Sequence, residues 1–164
     1  MMTKRSKLAM LMREDLPSLG TQKRMRYYTN YNEVVRLFKL LNETIFNNKL
    51  DMPIIEVSPR CREYWGMCFG EYDKVRYKRS LCKIRIMNRW YCKQWMITIL
   101  AHEMCHQYQW DILGEERVRA GKERIVSHGI SFFLFKDKLA KHGISLKRAH
   151  VRKRWFKTQD FFKS

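Results

Sequence analysis

The chain has 164 residues and a mass of 20.1 kDa, the size of one domain that buries roughly two-thirds of its unfolded surface around a single core. Hydrophobic residues make up 45% and aromatic residues 13%, with only 7 Gly and 3 Pro, which excludes a disordered or collagen-like chain. The 34 Lys and Arg against 16 Asp and Glu leave a net charge of +18, a self-repulsion best relieved by an acidic partner, and nucleic acid is the first candidate.

Residues 1–28 open basic (Lys4, Arg5, Lys7), become apolar from Leu8 to Met12, and turn acidic at Glu14 and Asp15. That order fits neither a secretory leader nor a mitochondrial presequence, so the segment reads as a basic, partly mobile arm. Asn30 or Asn32 can cap a helix in which Val34, Val35, Leu37, Phe38, Leu41, Ile45 and Phe46 recur at helical spacing, ending near Asn47 and Asn48. After Pro53, strand character appears at Ile54–Val57, Gly66–Tyr72 and Lys83–Met87, with a basic turn at Lys74–Arg79 between the last two. The three form a small sheet, with Gly66–Tyr72 the expected edge.

From Tyr91 to Leu113 the pattern is helical, and only Lys93, Glu103 and Asp111 carry full charge, so this helix belongs at the centre of the core. The charged stretch Gly114–Glu123 reads as an exposed loop. Another helix is expected from Ser127, burying Ile130, Phe132, Phe135 and Leu139 and stopping at His142 and Gly143, where a terminal Gly belongs. Residues 143–164 then form a basic tail that carries Trp155, Phe156, Phe161 and Phe162. No apolar run approaches the roughly 18 residues of a membrane span, so no membrane partner is expected. The 5 Cys are odd in number and contain no C-x-x-C pair, which points to a reducing, cytoplasmic compartment.

The central helix contains His102-Glu103-Met104-Cys105-His106, the H-E-x-x-H pattern. Residues four apart on a helix lie one above the other, so the two imidazoles can share one Zn²⁺ while the Glu beside the first reaches its water. In a shuffled chain of this composition the pattern would arise about once in a hundred trials. Three ionisable groups on an apolar helix also need a partner such as a metal to offset their burial. A catalytic zinc takes a third protein ligand. Ile112 stands where a metzincin would have His, and Asp111 is one residue off the corresponding aspartate position. Glu115, Glu116 and Glu123 lie in a solvated segment, and His128, at a helix start and followed by Gly129, is the better choice. Cys105 points away from His106 on the helical wheel and reads as a small core residue.

Leu41-Asn42, Ile45-Phe46, Lys49-Leu50, Gly66-Met67-Cys68, Leu100 to His106 and His128-Gly129-Ile130-Ser131-Phe132 resemble, in order over residues 30–142, the SprT-like domain shared with Spartan. The resemblance implies an α+β, minimal zincin-like fold over residues 29–142: an N-terminal helix, a three-stranded sheet, the H-E-x-x-H helix and a following helix with the third ligand. It implies one zinc ion on His102, His106 and His128, Glu103 as the catalytic carboxylate, and proteolysis of DNA-associated or DNA-crosslinked proteins. Many bacterial-type members carry a C-terminal Cys-rich zinc ribbon, whereas the tail here has no Cys.

The expected protein is therefore a monomeric zinc endopeptidase with a protein substrate and with single-stranded or partly unpaired DNA as partner. Lys147, Arg148, Arg152, Lys153, Arg154 and Lys157 supply phosphate contacts, while Trp65, Trp90, Trp155 and Phe156 either stack on bases or fill the core. Tyr91 and Tyr108 are candidates for the oxyanion donor. Two other readings remain: a nucleic-acid-binding module with a mainly structural zinc, and a zinc peptidase with no nucleic-acid role.

Overall fold

The computed structural model describes residues 3–13, 25–59, 64–73, 78–114 and 126–148. In chain order these form α1 (Lys4–Arg13), β1 (Tyr27–Tyr28), α2 (Tyr31–Thr44), β2 (Ile54–Ser58), β3 (Gly66–Asp73), β4 (Lys78–Met87), β5 (Arg89–Trp90) and α3 (Lys93–Tyr108). A π-helical turn at Gln109–Gly114, a 3₁₀ turn at Phe132–Phe135 and α4 (Lys136–Ala140) complete them. The architecture is α+β, and among the described residues no helix is long and apolar enough to cross a membrane.

Asn30 caps α2, its side chain accepting the Glu33 N–H at 3.0 Å, which satisfies one of the helix's orphan donors. Glu33 in turn accepts from the hydroxyls of Tyr27 and Thr29. Asn47 and Asn48, with φ of 53° and 57°, turn the chain out of the helix, in the left-handed region that Asn tolerates better than most residues. Asn42 then receives the chain: its amide donates to the Leu50 carbonyl at 2.7 Å and accepts the Leu50 N–H at 3.2 Å.

β4 is the middle strand of a sheet ordered β2-β4-β3, parallel to β2 and antiparallel to β3. Its alternation is the expected one. Ile84 and Ile86 are buried, while Lys83 and Arg85 on the other face both reach Glu56 at 2.8 Å. β4 begins at Lys78, so it absorbs the end of the expected basic turn; residues 74–77 lie outside the described set. β3 is an edge strand, as its sequence suggests.

α3 runs through the core, with every residue from Gln94 to Tyr108 buried. The Cys92 thiol caps it by accepting the Trp95 N–H at 3.4 Å. Trp65 stacks on the buried Trp90 at 5.3 Å and meets Trp95 edge-on at 5.7 Å. Trp90 is therefore core and not a base-stacking surface.

Three sequence expectations need correction. Lys4–Arg13 is a helix and not part of a loose arm: Leu8 and Met12 are 0% and 1% exposed, and the Gln94 amide donates to the Leu11 carbonyl at 2.9 Å. Ile144 and Leu146 are also buried, so the core extends past the expected start of the tail at 143. The expected helix from Ser127 opens instead as turns closed by three-residue bonds, Gly129 N–H to Val126 O at 3.1 Å and Phe132 N–H to Gly129 O at 3.0 Å. A Cβ at Gly129 would sit 3.0 Å from Val126 Cβ, so that tight path favours Gly. Ile130 is consequently 93% exposed, while Phe132 and Leu139 are buried as expected. Gly143, with φ of 82°, ends the segment.

Candidate metal centre

The helix repeat stacks His102 above His106, and their Nε2 atoms lie 3.2 Å apart. The turn before Phe132 brings in His128, whose Nε2 is 3.2 Å from that of His106 and 3.4 Å from that of His102. Tetrahedral zinc with bonds of roughly 2.0–2.1 Å holds its ligand nitrogens roughly 3.3–3.4 Å apart. The triangle of imidazoles therefore has the dimensions of one face of such a site, and the three residues form a group able to hold a metal ion.

The protonation pattern agrees. His106 Nδ1 stands 3.0 Å from Gln109 Oε1, and the Gln109 amide nitrogen donates to Val126 O at 3.0 Å and Ser131 Oγ at 2.8 Å. Because Val126 O can only accept, the amide orientation is assigned, and its oxygen must receive a proton from His106 Nδ1. In the neutral ring, His106 Nε2 then carries the lone pair and lies near the Nε2 atoms of the other two rings. Burial, and then the positive charge of Arg148, lower the pKa of His128 from its ordinary value. Beneath the cluster the buried Phe132 ring lies 4.8 Å from His102, 4.6 Å from His106 and 4.9 Å from His128, a dry floor for all three.

Glu103 is buried beside the pair, and that burial pushes its carboxyl up to about 8; the Cys68 thiol adds to the shift, and a hydrogen bond from the Cys68 backbone N–H opposes it. The start of β3 passes so near that a Cβ on Gly66 would come within 3.2 Å of Glu103 Cγ. The edge strand and Glu103 thus adjoin. An open groove of about 660 Å³ runs from His128 past Ile130, Phe133 and Leu134 to Lys136.

Of the residues singled out from sequence, His102, His106 and His128 come together with Glu103 alongside. Asp111 lies on the π-helical turn and outside the cluster. Glu115, Glu116 and Glu123 fall outside the described residues, as do Arg152, Lys153, Arg154 and Lys157. Lys147 is half-buried and Arg148 exposed. Tyr108 packs between Phe46 and Phe135, at 6.2 and 4.8 Å, and Tyr91 lies against Trp65 at 6.0 Å, so both serve the core. Gln109 and Ser131 were not anticipated as site residues. The available signal was a polar residue three positions after a ligand on an otherwise apolar helix, a spacing that shares a face.

The model of the SprT-like family matches residues 34–150. No curated protein matches the chain.

Proposed function

This chain belongs to the SprT-like family, and from that premise we propose that it is a zinc-dependent endopeptidase acting on DNA-associated or DNA-crosslinked proteins. The observation that carries the reading is the triangle of Nε2 atoms at 3.2, 3.2 and 3.4 Å with a buried carboxyl one residue along the same helix. Three protein ligands is the usual number for a catalytic zinc and four for a structural one, and the described residues bring together three. Zinc in such a site supplies Lewis-acid chemistry, acidifying water and polarising a carbonyl.

The chain's own residues do the rest. His102, His106 and His128 would hold the ion through their clustered Nε2 atoms. Glu103 takes a proton from the attacking water at a carboxylate oxygen and delivers it to the departing amine. Among the described residues β3 is the outer strand of its sheet, an edge on which an extended substrate can pair. Ile130 and Leu134, 93% and 56% exposed, present apolar surface in the groove beside His128, suited to the apolar side chains of an unfolded protein. The charge of +18 supports recruitment by single-stranded or partly unpaired DNA, whose release of counterions would make binding fall steeply with salt.

The test is cleavage of a basic DNA-binding protein by the zinc-loaded protein, with and without single-stranded DNA. Glu103→Gln is expected to retain zinc and lose about 10²- to 10⁴-fold in turnover, and His102→Ala to lose the metal. Full turnover by Glu103→Gln would overturn the peptidase assignment. Cleavage that depends on Glu103 but is indifferent to DNA would remove the DNA-linked part alone.

A further inference from the structure

Two of the three imidazoles owe their spacing to the helix that carries both. The third does not: His128 stands 22 residues after His106, on a turn with its own backbone hydrogen bonds. Something must hold that turn at ligand distance from α3.

Gln109 occupies the place where this can be done. It is the first residue beyond α3 and is 0% exposed, so both ends of its amide must be satisfied by protein. The oxygen accepts from His106 Nδ1 at 3.0 Å. The nitrogen donates to Val126 O at 3.0 Å and to Ser131 Oγ at 2.8 Å, partners that lie two residues before and three residues after His128. One planar group thus touches a ligand on the helix and both flanks of the ligand on the turn. No other side chain type of this length has the required pair. Glu keeps the acceptor and loses the donor, Leu has neither, and Lys lacks the acceptor.

We propose that Gln109 is a positioning residue that couples the two halves of the metal centre, fixing the His106 tautomer and holding the His128 turn in register. This rests on the metal-site reading above. Partners of ligand imidazoles outside the coordination sphere orient the ring and tune its basicity, and their loss typically costs 10- to 100-fold in metal affinity. Here one residue serves that purpose for one ligand while setting the location of another.

The experiment measures zinc affinity by chelator competition and the visible absorption spectrum of the cobalt-loaded protein, for the wild type, Gln109→Leu, Gln109→Glu and Ser131→Ala. Thermal unfolding of each metal-stripped protein is recorded alongside. Gln109→Leu is expected to bind zinc 10- to 100-fold more weakly with an altered cobalt spectrum. Gln109→Glu, which still accepts from His106, is expected to recover part of that affinity. Ser131→Ala removes one acceptor and is expected to lose about 2- to 10-fold, the equivalent of one ordinary hydrogen bond. If Gln109→Leu does not fold, the other two variants carry the test. Wild-type zinc affinity and a wild-type cobalt spectrum in the folded variants, whatever their melting temperature, would reduce Gln109 to a core strut and overturn the proposal. A wild-type protein that binds neither metal would overturn the metal-site reading itself, and this inference with it.

Discussion

Adding one methyl group at Gly66 should disturb Glu103 more than it disturbs the fold. An ideal Cβ there lies 2.8 Å from Ile99 Cγ2 and 3.2 Å from both Glu103 Cγ and Ile86 Cδ1. Carbon pairs are most comfortable near about 3.5–4.0 Å, so the overlap is about 0.7 Å at Ile99 and about 0.3 Å at the others. Neither isoleucine has free space, since both are buried, and β3, an edge strand, is the element able to retreat. Overpacking of this kind costs about 1–3 kcal/mol, or about 2–12 °C in melting temperature for a domain of this size. Retreat of β3 also takes with it the Cys68 N–H that bonds the Glu103 carboxyl. We therefore expect Gly66→Ala to remain folded and bind zinc with near wild-type affinity, because the three atoms nearest the added one belong to Ile99, Glu103 and Ile86 and not to an imidazole. Its turnover should fall by more than its stability explains. Thermal unfolding, chelator competition and initial-rate peptide cleavage on one preparation separate these effects. Wild-type melting and turnover would refute the argument, as would a loss of zinc matching the loss of rate.

Phe132→Ala should cost about 3–5 kcal/mol in denaturant unfolding, since the ring is fully buried and faces all three imidazoles; a cost below about 1 kcal/mol would mean that the floor collapses without penalty. Removing the metal by chelation should lower the melting temperature, and zinc at about 1,000 times its dissociation constant should restore about 4 kcal/mol; melting indifferent to zinc would exclude binding to the native state. Lys83 and Arg85 hold the Glu56 carboxyl below its usual value. A carboxyl whose folded value is lowered stabilises the protein above its unfolded value and loses that contribution as pH falls through the folded one. Glu56→Gln should accordingly flatten the acid limb of the stability curve, by no more than about 1 kcal/mol for so exposed a pair; superimposable acid titrations of wild type and variant would contradict this.

What could be read in the sequence is what depends on neighbours along the chain. The H-E-x-x-H spacing, the Asn30 cap, the alternation in β4 and the terminal Gly143 are all expressed within a few residues, and each appears in the structure. α1 was obscured by averaging. Leu8, Leu11 and Met12 share a helical face, but the basic residues around them mask the signal, and only the distant Gln94 and the core reveal its purpose. Ile130 illustrates the opposite error. Hydrophobicity favours burial but does not compel it, and the Gly129 turn leaves this side chain in the groove beside His128.

The same division runs through the metal centre. His102 and His106 are held by a helix buried along almost its whole length, so loosening their spacing requires loosening the core. His128 depends on pairings made across 17 to 22 residues, from Gln109 to Val126 and Ser131 and from His106 to His128 itself. A change on the His128 side should therefore weaken metal binding at little cost to α3, whereas a change beneath α3 should lose both together. Comparing Ser131→Ala with Phe132→Ala tests this directly: they are adjacent in sequence, yet the first should chiefly lower zinc affinity and the second should also lower the stability of the metal-stripped protein. Equal effects on both quantities would show that the third ligand is held by the same core as the first two.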